Sequence, residues 1–572
     1  MLFAALFFAF FLHAPAEQEQ SDRVEFAVVT HPGNSTNSLT RAQLVKHLKA
    51  QTRYWNRNQS VYLLLPRSDT LTKQFLLKHV YEMSGIELKR YWVKLVYRQL
   101  LPAIPKVMPS TTVALVVAKS QPGALTLVEA PTVLGRKDIK VLAIDGKLPG
   151  DEGYWPSMPR VKKIKEKEKE EGSEKGEENE IEESFWRPVL QARAPREAAT
   201  QEEGSRDDLE ERIALLEEQI AGELDIAGGS SGLEAGTGLV LRGFADVTLG
   251  ARKVSSDDST VDGESSEFAI GQLDLFFTSQ PGERVSFLNE TVFETDEDGS
   301  ALLDVERLIV KYNFGDAASL QVGRMHSNVG FWNTTYHHGE WLQTTIGRPR
   351  ILNFEDESGL LPVHLIGLNF ETITETAPGE LQTNLAVGNG RGATPDPPQI
   401  ISDLDDAKAV NLAFTLNPSA VEGLLVGAGL FLDSIPSNTD PAAGPTHGAL
   451  DETIWSASAT YDGDYWTVLA EIFRIEHDGN GGDAESLGYY LQFEREMGAW
   501  TPYARIEGVD VDDSDTFYED LDDLKSLVVG IRWDFSAWNA IKLQISHTRY
   551  DGGPGVADRD ETQIQLQTAV AF

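Results

Sequence analysis

Between residues 238 and 572 apolar and polar positions alternate in segments of about ten residues, separated by acidic or Gly-rich loops. Leu527, Val529, Ile531, Trp533 and Phe535 share one face, with Arg532 and Asp534 on the other. Leu487, Tyr489, Leu491 and Phe493 repeat the pattern, as do Ile541, Leu543 and Ile545 against Lys542 and Gln544. Far upstream, Leu239, Leu241, Ala245, Val247 and Leu249 alternate with Arg242, Asp246 and Thr248, and Ala269, Leu273, Leu275 and Phe277 with Gln272 and Asp274. About sixteen such segments can be marked, an even count of the kind a closed antiparallel barrel requires. No window there is long and apolar enough for a membrane helix. The pattern predicts a transmembrane antiparallel β-barrel over 238–572, with the terminal Phe572 at one rim and the acidic loops 403–406 and 510–523 at the other. A large soluble sandwich is the other fold that alternation alone allows.

The first part of the chain changes period. Residues 26–29 read as a short apolar strand, 39–48 as a helix capped by Ser38 or Thr40, and 61–65 as a second strand ended by Pro66. Helices are expected over 71–83 and 86–96, and strands over 113–117 and 141–144. Alternating strands and helices predict a small α/β domain over 24–150 with a mostly parallel sheet. Residues 1–16 hold an apolar run followed by Ala14, Pro15 and Ala16, which reads as a signal peptide without the usual positive start. Secretion together with a barrel implies a Gram-negative-type outer membrane, with the α/β domain in the periplasm.

Charge divides the chain further. The net charge of -39 is made of +9 over 17–150, -12 over 151–237 and -36 over 238–572. Residues 151–205 form a charged, low-complexity linker whose Lys/Glu run cannot bury a core. In 206–225 Leu209, Ile213, Leu216, Ile220 and Leu224 place one apolar stripe on a helix. That helix is either a short coiled coil, which at about two heptads needs barrels already held together as in a homotrimer, or a lone helix packed on a neighbouring domain. The chain has no cysteine and relies on no disulfide.

The α/β part carries a resemblance. Val28, Val29, Asn34, Ser38, Leu39, Thr40 and Leu44, then Trp55, then Leu63–Leu65 with Pro66, Arg67, Ser68, Asp69, Thr70 and Phe75, then Tyr91, Trp92, Pro122, Gly123 and Ala124 resemble the compact phosphate-type substrate-binding proteins of ABC importers. The resemblance implies an anion held by backbone N–H groups and hydroxyls at helix N-termini, at Asn34, Ser35 and Thr36 and at Ser68 and Thr70. Here Arg67 and Asp69 stand where the family has glycines, and the domain is about half a two-lobed binding protein. Retained phosphate binding and a degenerate domain used for contacts both remain open.

The C-terminal part resembles outer-membrane porins by strand count, the final Phe572 and the coil-like segment before the first strand. The resemblance implies passive diffusion of ions or small hydrophilic solutes, with phosphate one candidate. Strand parity turns Arg242, Arg505, Arg532 and Lys542 into the lumen beside Asp246, Asp274, Glu494, Glu507 and Asp534. That mixture is no anion ladder. Acidic loops suit solubility and contact with lipopolysaccharide.

Between 323 and 349 lie His326, Phe331, Trp332, Tyr336, His337, His338, Trp341 and Arg348. A loop this long and aromatic is expected to fold inward as a constriction, to cap the barrel, or to bind a metal. Imidazoles suit zinc or copper, but no helix spacing or thiolate supports such a site, and no metal or cofactor is assigned. No enzyme constellation and no nucleic-acid signature is present. The alternative to a channel is a binding or structural protein, its barrel an anchor and its first domain a trap for an anion or a tether of the envelope.

Overall fold

The computed structural model describes residues 23–56, 59–101, 103–159, 239–256, 262–295, 301–354, 359–395, 406–463, 465–479, 482–518, 521–552 and 557–572. The expected signal peptide over 1–16, the expected linker from residue 160 onward and the expected coil lie outside them.

Sixteen strands pair antiparallel in chain order, from Val240–Ser256 to Arg559–Ala571, and the last closes on the first. Closure leaves no unpaired edge, which lipid would not tolerate. The two faces follow the alternation. Phe268, Ile270, Trp455, Ile472, Leu527 and Ile564 are exposed outside, whereas Glu290, Arg307, Lys311, Arg505, Arg532 and Lys542 are buried inside. A dry-cored sandwich would reverse this distribution.

At one end the strands are joined by short turns such as 314–317, 376–378 and 535–538, and at the other by longer connections such as 436–449. Phe572 lies at the short-turn end, where it exchanges backbone hydrogen bonds of 3.0 and 3.1 Å with Gly243.

The N-terminal domain has a sheet in the spatial order Ser157–Pro159, Arg23–Thr30, Ala124–Glu129, Tyr62–Leu65, Lys106–Val107. It is mixed, not mostly parallel: Arg23–Thr30 runs antiparallel to both neighbours, and Tyr62–Leu65 parallel to its own. Around it lie α1 (Arg41–Leu48), α2 (Leu71–Leu76) prolonged by a wider turn over Leu77–Tyr81, α3 (Gly85–Tyr97) and α4 (Thr111–Ser120). Residues 113–117, expected as a strand, lie in α4. Ser110 accepts from the Val113 N–H at 3.2 Å, and Val113, Ala114, Leu115 and Ala118 bury one stripe, which outweighs the strand preference of the valines. The folded unit also runs past residue 150: Tyr154 is buried and donates its hydroxyl to Phe26 O at 3.0 Å, and Ser157–Pro159 joins the sheet.

Helix α3 joins the two domains. Ser84 and Glu87 cap it reciprocally. Leu88 and Trp92, one turn apart, pack in the domain's own core, while Val93, Val96 and Tyr97 on the other side belong to the buried cluster inside the barrel. Tyr97 sits 5.7 Å from both Phe244 and Phe276, and its carbonyl accepts from Arg307 on the barrel wall at 2.9 Å. Around the rim Lys46 pairs with Glu375, Arg53 with Asp316 and Arg90 with Asp534, and Ser60 donates to Glu283 at 2.6 Å. The basic domain thus sits on acidic groups of the short-turn end, with α3 in its mouth.

Candidate pore and its inner loop

After the strand Ala318–His326 the chain turns into the lumen and re-emerges at His364–Glu375. Residues 327–363 carry the short helix α5 (Phe331–Thr335), and Trp332, Tyr336, His337, His338 and Trp341 are all buried. Gly330, at φ +80°, opens α5 where a Cβ would fall 2.8 Å from Glu471 Oε2. That closeness lets the Glu471 carboxylate accept from the Phe331 and Trp332 N–H groups, the latter at 2.9 Å, and from the Tyr490 hydroxyl at 2.7 Å.

The barrel wall holds the rest of the loop mainly by its backbone. Arg532 donates to the carbonyls of Trp341 and Gln343 at 2.7 and 2.8 Å, and Lys542 to those of Glu340 and Thr345 at 2.5 and 2.8 Å. Gln544 accepts from the Ile346 N–H and donates to its carbonyl, both at 2.9 Å. Arg505 reaches Arg348 O at 3.1 Å, Glu507 accepts from the Arg350 N–H at 2.8 Å, and Glu494 from the Thr344 hydroxyl at 2.7 Å. Arg348 bends back to the carbonyls of Leu352 and His337 at 2.9 and 3.0 Å, with its guanidinium 3.3 Å from the centre of the Phe354 ring. Charge-assisted bonds of this kind in a low-dielectric interior fix a loop firmly.

The inward residues named from parity therefore have more than one duty. Arg505, Glu507, Glu494, Arg532 and Lys542 grip the loop, while Asp534 is shared between Arg532 at 2.8 Å and Arg90 of α3 at 3.3 Å. Asp246 accepts from the Gln272 N–H at 3.2 Å and from Gln567 at 3.1 Å. Asp274 is fully buried, and Arg242 is half-buried on the opening strand.

Two cavities flank the loop. One, of about 450 Å³, lies toward the long-loop end, lined by Arg252, Arg348, Arg350, Arg505, Glu507 and Glu561 among others. The other, of about 490 Å³, lies between the wall and the docked domain, with Lys49, Arg53, Arg98, Arg307, Asp316 and Glu371 on its surface. Both linings mix signs.

No protein-family model matches the chain, and no curated protein does. Among solved structures the barrel is similar to the anion-selective porin from Comamonas acidovorans, at 13% identity over 58% of this chain and 99% of that one, with a TM-score of 0.42. It is also similar to the outer membrane channel DcaP of Acinetobacter baumannii, at 12% identity over 59% and 99% with a TM-score of 0.42. Salmonella typhi OmpF in complex with daunomycin gives 12% identity over 59% and 98%, with a TM-score of 0.40. The porin-like architecture described above stands on this chain's own strand pairing and on its inverted polarity.

The anion site expected in the N-terminal domain is not assembled. Arg23–Thr30 is antiparallel to Ala124–Glu129, and Tyr62–Leu65 parallel to it, so the loop with Asn34, Ser35 and Thr36 and the loop with Ser68 and Thr70 leave the sheet at opposite ends. Asn34 is buried, its amide donating to Thr30 Oγ1 at 2.9 Å and its carbonyl oxygen accepting from the Thr36 N–H at 2.9 Å. The Thr70 hydroxyl caps α2 at Lys73 N (3.1 Å) and donates to Arg67 O (2.8 Å). Arg67 is paired with Asp69, two residues further along.

Several participants escape the sequence. Glu471 lies on an inward face shared with Leu469, Phe473 and Ile475, so no polar stripe marks it. Glu306 and His364 sit on strands flanking the loop, and only the closed barrel brings them to His337 and His338.

Proposed function

We propose that the chain is an outer-membrane channel for small ions or hydrophilic solutes, with its N-terminal domain docked at the periplasmic mouth as a movable stopper. The observation that carries this reading is the inverted barrel: apolar side chains face outward all round, and charged groups face a lumen with two cavities, both lined in part by charged side chains. The short-turn end faces the periplasm and the acidic loops the outside, as in barrels whose termini remain within. Mixed-sign linings support no anion ladder, so conduction carries at most a mild cation preference, set by the acidic loops and screened by salt. In this reading the basic N-terminal domain is a contact module and not an anion trap.

A second reading, in which the barrel serves as an anchor, is favoured by one observation: the inner loop and α3 together occupy much of the lumen. Conductance of the purified full chain in planar bilayers separates the two. Discrete openings support the channel, and a silent barrel that folds and inserts supports the anchor.

A further inference from the structure

Where the inner loop meets the wall, four imidazoles and two carboxylates are buried together: His326, His337, His338, His364, Glu306 and Glu290. Glu306 Oε2 lies 2.5 Å from His364 Nε2, 3.1 Å from His338 Nε2 and 3.3 Å from His337 Nε2, and the Nε2 atoms of His337 and His364 are 3.0 Å apart.

Hydrogen-bond partners fix which nitrogens carry protons. The Asn333 amide donates to Ser327 O at 3.1 Å and Val363 O at 2.9 Å, so its oxygen faces His337 Nδ1 at 2.8 Å and accepts that N–H. The Gln272 amide likewise donates to Glu294 at 2.6 Å, leaving its oxygen to accept from His338 Nδ1 at 2.7 Å. In neutral imidazoles both Nε2 atoms are then lone pairs, and both face the Glu306 carboxylate. Acceptors aimed at an acceptor at 3.1 and 3.3 Å repel unless a proton or a metal cation lies among them, and one metal ion can satisfy both imidazoles and the carboxylate at once. His338 Nε2 and His326 Nε2, both buried, make no hydrogen bond among the described residues. Glu306, His337 and His338 offer ligand atoms that all lie within 4.8 Å of one another, and Glu306 stands 3.1 and 3.3 Å from the two imidazole nitrogens, close to the edge of a tetrahedron about an ion with ligands at roughly 2.0–2.1 Å. Outer N–H groups donated to fixed carbonyls are the usual support of metal-bound imidazoles.

We propose that Glu306, His337 and His338 bind one divalent cation of the zinc class, with His364 and His326 packed behind them. His326 lies 3.6 Å from the His337 ring, centre to centre. Two imidazole nitrogens and one carboxylate oxygen, with a position left for water, suit zinc over calcium or magnesium, which take oxygen ligands. Glu306 is on a wall strand and His337 and His338 on the loop, so the ion would fasten the loop inside the lumen. This binding site does not depend on the barrel conducting.

The test is equilibrium dialysis of the full chain in detergent micelles, stripped with chelator and then exposed to micromolar zinc, with bound metal measured directly. One zinc per chain is expected, and cobalt in its place should give the visible absorption of a tetrahedral ion. His337→Ala with His338→Ala should weaken binding by on the order of 100-fold or more, and the near-isosteric Glu306→Gln should weaken it with the loop's packing volume kept. His547→Ala, at an exposed wall histidine, should bind as the parent does. A parent chain that takes up no zinc overturns the proposal, as does undiminished uptake by either variant; if the double variant does not fold, Glu306→Gln decides.

Discussion

Replacing Tyr97 by Ala should release the domain from the barrel without unfolding either. The ring is buried against Phe244 and Phe276, with the Arg307 guanidinium 4.4 Å from its centre. Tyr97 is outside the domain's own core, which uses Leu88 and Trp92 of the same helix. Truncating a buried aromatic side chain costs about 3–5 kcal/mol. At about 1.4 kcal/mol per factor of ten, the ratio of docked to undocked chains should fall by about 100-fold or more. The rim ion pairs contribute less: Lys46 and Glu375 keep 43% and 67% of their side-chain surface exposed, where a pair is worth at most about 1 kcal/mol. Tyr97→Ala should therefore raise the open fraction in bilayer recordings far more than Lys46→Ala, and raised salt should act mildly. Equal open fractions in Tyr97→Ala and parent chains, with both barrels folded, would refute the reasoning.

Arg532→Ala should leave the carbonyls of Trp341 and Gln343 without their donor and Asp534 with Arg90 alone, lowering stability by about 3–5 kcal/mol; a thermal unfolding series checks this, and an unchanged midpoint would count against the clamp. Calorimetric titration of the full chain with millimolar phosphate should show no stoichiometric binding, because the two candidate loops lie at opposite sheet ends. Burial holds the His47 imidazole below its ordinary pKa, outweighing its bond to Thr52 O and the Asp316 charge. Neutral in both states at high pH, His47 is protonated first in the unfolded chain, so the domain should lose stability as pH falls through about 6.5 toward the lower folded value. His47→Gln should flatten that slope in denaturation midpoints measured across the range. Reversal potentials in a salt gradient should give a weak cation preference that fades at high salt, and strong anion selectivity would contradict the mixed lining.

The barrel was legible because its signal is local. Leu527, Val529 and Arg532 report their faces by parity alone, and repetition over sixteen strands makes the alternation decisive. The domain was less so. Ala124–Glu129 is buried on both sides and shows no alternation, and the valines of α4 favour a strand until Ser110 and the packed stripe are considered. Strand direction was beyond reach: nothing in residues 26–29 says that they run against Tyr62–Leu65, and that direction separates the two anion loops. His337 and His338 stood out as a pair, but Glu306 and His364 lie far along the chain in ordinary strands. The docking face of α3 was hidden for the same reason, since Val93, Val96 and Tyr97 read as one more apolar stripe.

The wall grips the inner loop mostly through main-chain carbonyls and N–H groups at Trp341, Gln343, Thr345, Ile346, Arg348 and Arg350. Every residue type supplies a carbonyl, so the loop's path is encoded largely in side chains belonging to other strands. Evolution, or an engineer, can exchange the side chain of Arg350, which lines the cavity toward the long-loop end while its N–H stays bonded to Glu507, and alter what the vestibule accepts, while Arg505, Arg532, Lys542 and Gln544 preserve the fold of the constriction. Shape is stored in one set of positions and selectivity in another, which lets the second drift without endangering the first.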